Sequence, residues 1–311
     1  MIRTALGDIA DDRLGRTDYH EHLFQVSPLL PGDELDDEER SGAEAGHLRA
    51  AGIEAMVEAT PCGLSRDARA VARIAASTGL NIVLTTGAHR VEHYAADHPL
   101  LRMDTVALAR LFIAELTEGV RADGDLGTPR PDAPAAGLLK AGIGYWRIGP
   151  FERRVLEGVA EAHRATGAPV MVHLEYGSAA FEVLEELNAL GVASHRVVLA
   201  HADRNPDPGL HAELCAAGAY LGYDGMARHR NRPDSAVLDC LLRTAERGGA
   251  DRLLLGGDVA RRTRYRAYGG MPGLEYLPRR FVPRVEEAGG ADLVRRILVG
   301  NPARLLGWSA S

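Results

Sequence analysis

The sequence predicts a single (β/α)8 barrel, and three observations point there. Short β-branched or apolar runs alternate with longer amphipathic ones, the alternation gives eight strands, and several apolar runs end in a histidine or an aspartate. Barrels of this kind routinely reach 311 residues as one unit, so residues 1–311 are expected to form one domain, with a short β segment at the N-terminus. An open doubly wound sheet is the competing architecture, but no GxGxxG turn follows any apolar run.

The strands are read in order at residues 16–22, 55–59, 81–86, 137–141, 170–173, 197–201, 220–223 and 253–258. Runs such as NIVLTT, VMVH, VVLAH and LLLGGD carry the apolar, strand-forming character. Helices are expected at 65–77, 105–118, 151–165, 179–190, 234–247 and 284–298, several opened by Ser or Asp and closed near Gly. Residues 120–134, rich in Gly, Pro and Asp, read as a connection before the fourth strand, too short for a domain linker.

Composition excludes several classes. No run of about 18 apolar residues occurs, so no membrane span is expected. The net charge of −7 argues against nucleic acid as the main partner, because phosphate backbones need a basic face. Three cysteines, Cys62, Cys215 and Cys240, are too scattered for a disulfide framework, and MIRTALGDIADD lacks a secretory pattern; both suit a reducing cytoplasm. Lys140 is the only lysine in a chain otherwise rich in arginine.

His20 and His22 lie two apart at the end of the first strand, so both imidazoles point to one face. His173 tips the fifth strand, His201 the sixth and Asp258 the eighth. Strand ends become neighbours at the C-terminal rim of a barrel, and imidazole with carboxylate suits Zn, Mn, Fe, Co or Ni. One strand-end histidine is more often a packed core residue, but four converging rim positions are poorly explained that way. Cys62 has no clear histidine–carboxylate partner and is not expected to be a nucleophile.

The motifs HEH (20–22), EATPCGLSRD (58–67), TTG (85–87), AGLLK (136–140), TGAPVMVH (166–173), LAHADR (199–204), GGD (256–258) and LVGNPARLL (298–306) run along nearly the whole chain. In this order they resemble the phosphotriesterase-like family of the amidohydrolase superfamily, which includes lactonases. The resemblance implies two divalent ions, zinc first, with Mn, Co or Fe as other choices. It implies that carbon dioxide carboxylates Lys140, which bridges the ions, with His20, His22 and Asp258 on one and His173 and His201 on the other. A second register, through KAGIGY (140–145), would put Tyr145 at the bridge. Together the two cations lower the pKa of a shared water, and Asp258 accepts its proton and passes it to the leaving oxygen.

A small ester or lactone is the expected substrate. His89 stands in TTGAHR where lactonases of the family often carry tyrosine, either orienting a carbonyl oxygen or sitting in a solvated loop. Arg228, Arg230 and Arg232 follow the seventh strand, and Arg261, Arg262, Arg264 and Arg266 the eighth, a local excess suited to an anion. The segment DVARRTRYRAYGG (258–270), which contains Tyr265, resembles members associated with sugar-lactone phosphates. His89, Arg228, Arg230, Arg261, Arg262 and Tyr265 are therefore the expected substrate contacts, and an anionic sugar lactone is the leading substrate. Phosphotriester or carboxylic ester hydrolysis at the same centre, and a barrel that binds a ligand without turning it over, are the alternatives. The resemblance also suggests a homodimer.

Overall fold

A computed structural model describes residues 1–122, 126 and 132–308. Two short antiparallel strands come first, β1 (Ile2–Thr4) and β2 (Gly7–Ile9). The eight expected barrel strands follow as β3 (Thr17–Glu21), β4 (Ala55–Glu58), β5 (Asn81–Gly87), β6 (Leu138–Ile143), β7 (Val170–Leu174), β8 (Val197–Ala200), β9 (Tyr220–Tyr223) and β10 (Leu253–Leu255). All seven ladders from β3 to β10 are parallel and join neighbours in sequence order. Between the first and last strands the ladder gives way to single bonds, including Asp258 N–H to the His20 carbonyl at 2.9 Å. Carboxylates complete this seam: Asp18 accepts from Gly257 N–H at 3.3 Å and Glu21 from Val259 N–H at 3.0 Å.

The helices are α1 (Glu38–Ala50), α2 (Ala68–Thr78), α3 (Thr105–Thr117), α4 (Pro150–Thr166), α5 (Ala180–Ala189), α6 (Pro208–Ala216), α7 (Asp234–Glu246), α8 (Val282–Gly289), α9 (Ala291–Arg295) and α10 (Asn301–Leu306). Aspartates set several starts. Asp37, Asp67, Asp104 and Asp207 each accept a backbone N–H of the first turn, so α2 begins after Asp67 and not at Ser65. The helix expected over 284–298 is broken into α8 and α9 at Gly290, whose φ of 84° and ψ of 161° no helix accommodates. Most of the 120–134 connection lies outside the described residues.

Two apolar layers hold the fold. One lies between sheet and helices, and the other fills the barrel with Tyr19, Val57, Val83, Leu138, Met171, Val198 and Leu254, closed below by Ile2, Leu14, Leu305 and Leu306. Strand period then places the site. Two residues beyond Leu138 and Met171 come Lys140 and His173, on the same inward face but one layer nearer the C-terminal rim. Gly87 is required here, because a Cβ on it would lie 2.0 Å from the Lys140 carbonyl oxygen. No helix among the described residues is long and apolar enough to cross a membrane.

Candidate metal centre

His20, His22, Lys140, His173, His201 and Asp258 all line one cleft of about 570 Å³ at the C-terminal ends of the strands. Ligand atoms of His20, His22 and Asp258 lie within 4.8 Å of one another. Asp258 Oδ1 is 3.8 Å from His20 Nε2 and 3.7 Å from His22 Nε2, too far for hydrogen bonds and near the ~3.4 Å edge of a tetrahedral zinc shell. His22 is held from behind, its Nδ1 2.7 Å from Thr60 Oγ1, which leaves Nε2 for the cleft.

Lys140 is 1% exposed, its Nζ 2.8 Å from the Ala59 carbonyl and 3.4 Å from His20 Nε2, whereas Tyr145 is 63% exposed beyond the strand. Lys140 therefore lies in the cluster and Tyr145 outside it, as the AGLLK register expects. Burial pushes the Lys140 ammonium down to about 8 against the pull of Asp258 and Glu58. Neutral amine, the form that reacts with carbon dioxide, then makes up about one part in ten at pH 7, against about one in three thousand at the usual 10.5.

The second pair carries its own electrostatic problem. His201 Nδ1 lies 2.6 Å from Asp224 Oδ1, and His173 Nε2 lies 2.9 Å from Glu175 Oε2. Burial raises Asp224, but the His201 and His20 rings outweigh it and hold the carboxyl well below its usual range, so it accepts only. If both carboxylates take ring N–H groups, the remaining nitrogens, His201 Nε2 and His173 Nδ1, face each other at 2.8 Å with lone pairs opposed. A cation or a proton resolves that contact, and burial disfavours the proton: His173 is pushed well below its usual value, His201 to about 4. Donor set and opposed lone pairs thus fit divalent ions.

Asp258 has two faces. Oδ1 turns to His20 and His22, while Oδ2 accepts from Arg204 at 2.9 Å and Arg228 at 2.8 Å. Burial would raise this carboxyl, but the His201 ring and the Arg228 guanidinium hold it far below the ordinary range. Its φ is 42°, and Gly257 before it has no room for a side chain, since a Cβ there would sit 2.0 Å from Glu21 Oε1.

The expected substrate contacts divide. His89, Arg228 and Arg261 line the cleft; Arg230 and Arg262 do not. Arg230 is exposed, and Arg262 lies over the Tyr268 ring at 5.6 Å. Tyr265 is fully buried and its hydroxyl donates to the His22 carbonyl, so it supports the His22 backbone and does not face the cleft. Arg228 is spent on Asp258 and Arg261 on Asp33 at 3.1 Å. Arg232 and Arg264, part of the expected arginine excess but not among the six expected contacts, also line the cleft; sequence reading missed Arg90 and Arg204 there, and Asp224 and Glu175 behind the histidines. Asp224 had a signal, since it follows the YLGY run as Asp258 follows LLLGG.

The phosphotriesterase family model matches residues 1–306. A phospho-furanose lactonase of Mycoplasmopsis synoviae is 29% identical, over 99% of this chain and 92% of its own. A phosphotriesterase homology protein of Mycobacterium tuberculosis is 32% identical, over 98% and 97%. Among solved structures, a lactonase from Listeria monocytogenes superposes with a TM-score of 0.91 at 33% identity, covering 99% of both chains. An amidohydrolase from Mycoplasma synoviae superposes at 0.93 and 28%, covering 99% of this chain and 92% of that one. Matched from end to end by sequence pattern and barrel geometry alike, the chain belongs to the phosphotriesterase family.

Proposed function

We propose that the protein is a binuclear metal-dependent lactonase whose preferred substrate is an anionic, phosphorylated sugar lactone. The observation that carries the anion is Arg264. It lines the cleft, its buried Nη2 has no hydrogen-bond partner, and burial with the neighbouring Arg228 pushes it down only to about 10, so it is still a cation at neutral pH. Arg232 lines the same cleft, with no carboxylate partner among the described residues. A phosphate supplies the acceptors both lack. The relatives named phospho-furanose lactonases agree with that reading, and nothing in the cleft favours a neutral phosphotriester over it.

Two divalent ions bound by His20, His22, Asp258, His173, His201 and a carboxylated Lys140, with zinc the first choice, would supply Lewis acidity and a water of lowered pKa. The chain's own part is positioning and proton transfer. Arg204 and Arg228 hold the Asp258 carboxylate in place, and this carboxylate takes the proton of the attacking water. The water oxygen bonds to the lactone carbonyl carbon, the ring C–O bond breaks, and the proton passes from Asp258 to the departing alkoxide. One acid is released per ring opened, which a pH indicator reads directly.

Arg264→Ala is expected to lower kcat/KM on a phosphorylated lactone by about 10- to 150-fold, the worth of one charge-assisted hydrogen bond, and to leave the unphosphorylated twin nearly unchanged. Arg228→Ala should slow both, because that side chain holds Asp258. Equal losses on both substrates in Arg264→Ala would remove the anion assignment. Metal-loaded protein inactive on every lactone of a panel would remove lactone hydrolysis itself. The homodimer suggested by the resemblance is part of this proposal and is read by sedimentation.

A further inference from the structure

His173 closes β7, and its Nε2 is 2.9 Å from Oε2 of Glu175, two residues on. The same oxygen lies 3.0 Å from a guanidinium nitrogen of Arg90, in the loop that follows β5. Two strand ends that do not pair with each other are thereby tied through one carboxylate. Held by a guanidinium, that carboxylate accepts, so the hydrogen in its contact with the ring belongs to His173 Nε2 and the lone pair to Nδ1. Nδ1 is the atom turned toward His201 Nε2 at 2.8 Å.

We propose that Glu175, clamped by Arg90, is a positioning residue that fixes the tautomer and ring plane of His173, so that Nδ1 is the atom offered to the second ion. The inference rests on the binuclear reading above. Without the carboxylate, the imidazole loses the acceptor that holds its Nε2–H, and it exchanges tautomers and swings about its Cβ. Loss of such an outer partner costs about 10- to 100-fold in metal affinity, and here the cost falls on one ion of two. His20, His22 and Asp258 have other supports, Thr60 behind His22 and the arginines behind Asp258, so the first ion is spared.

The test titrates metal-free protein with cobalt(II), following its visible absorption, and with zinc in competition with a chromophoric chelator. Wild type, Glu175→Gln, Glu175→Ala and Arg90→Met are compared. Wild type should take two equivalents. Glu175→Ala should keep the first with unchanged affinity and bind the second about 10- to 100-fold more weakly. Glu175→Gln, whose amide oxygen still accepts but without charge, and Arg90→Met should fall between. Melting temperatures of the metal-free proteins separate this from general loosening, which would weaken both ions together. If Glu175→Ala does not fold, the near-isosteric Glu175→Gln decides alone. Two full-affinity equivalents in Glu175→Gln, or equal weakening of both ions, would overturn the inference while leaving the binuclear reading intact. Fewer than two equivalents in wild type would overturn that reading itself.

Discussion

Lys140→Ala is expected to abolish turnover, by about three orders of magnitude or more, and to leave the metal centre without its bridge. The amine sits in the barrel, one layer above Leu138 and Met171, 3.4 Å from His20 Nε2. With the side chain removed, space opens where a carboxylated lysine would reach, and millimolar acetate or propionate should restore part of the rate by occupying it. Tyr145→Phe should change nothing, since that ring is 63% exposed beyond the strand. The pH dependence of carbamate formation follows from the lowered lysine. Its folded value is about 8, so at fixed dissolved carbon dioxide the neutral amine falls from about half at pH 8 to about one hundredth at pH 6. Reconstitution of the carbon dioxide-free protein should therefore slow about 50-fold between those pH values. A Lys140→Ala protein with two metals and full rate would remove the bridge assignment.

The double substitution His20→Asn, His22→Asn should remove one metal equivalent and essentially all activity. Both rings approach Asp258 Oδ1 at just under 4 Å, close enough to share one ion in the proposed centre. The second pair, His173 and His201, keeps its carboxylate partners, so the remaining equivalent should persist. Elemental analysis after dialysis reads the outcome, and undiminished metal content would sink the assignment. Amide side chains keep size and polarity at these buried positions, so a collapsed fold is not the expected cause of the loss.

Much of this was written in local sequence. Strand ends were legible because a barrel forces one apolar run after another, and inward side chains at the last positions of a strand have nowhere to go but the rim. Helices α1 and α6 were not. α1 (EERSGAEAGHLRA) buries Ser41 and Glu44 on its inner face, and α6 buries His211, so neither shows an apolar stripe. The arginines show the deeper limit. Seven of them in two loops look alike in sequence, yet Arg228 and Arg261 are consumed by carboxylates, Arg262 by an aromatic ring, and Arg264 keeps a bare nitrogen. Which charge is spare depends on partners more than two hundred residues away, as in the contact of Arg261 with Asp33. Tyr265 misled for the same reason: its neighbour Arg264 lines the cleft, but its own hydroxyl serves the His22 backbone.

Because Lys140 is the sole lysine, the chain carries a built-in isotopic address. Protein stripped of carbon dioxide and re-equilibrated with the 13C-labelled gas has one side-chain amine to capture it, so a slowly exchanging carbamate carbon in the NMR spectrum belongs to the centre of the barrel and to no surface site. The terminal amine, solvent-facing against Asp11, would exchange freely and fade on dilution. If the proposed carbamate forms, metal loading, pH and substrate analogues can each be followed through the shift of that resonance, with no mutation and no chromophore, in a chain with no other lysine to answer the reagent.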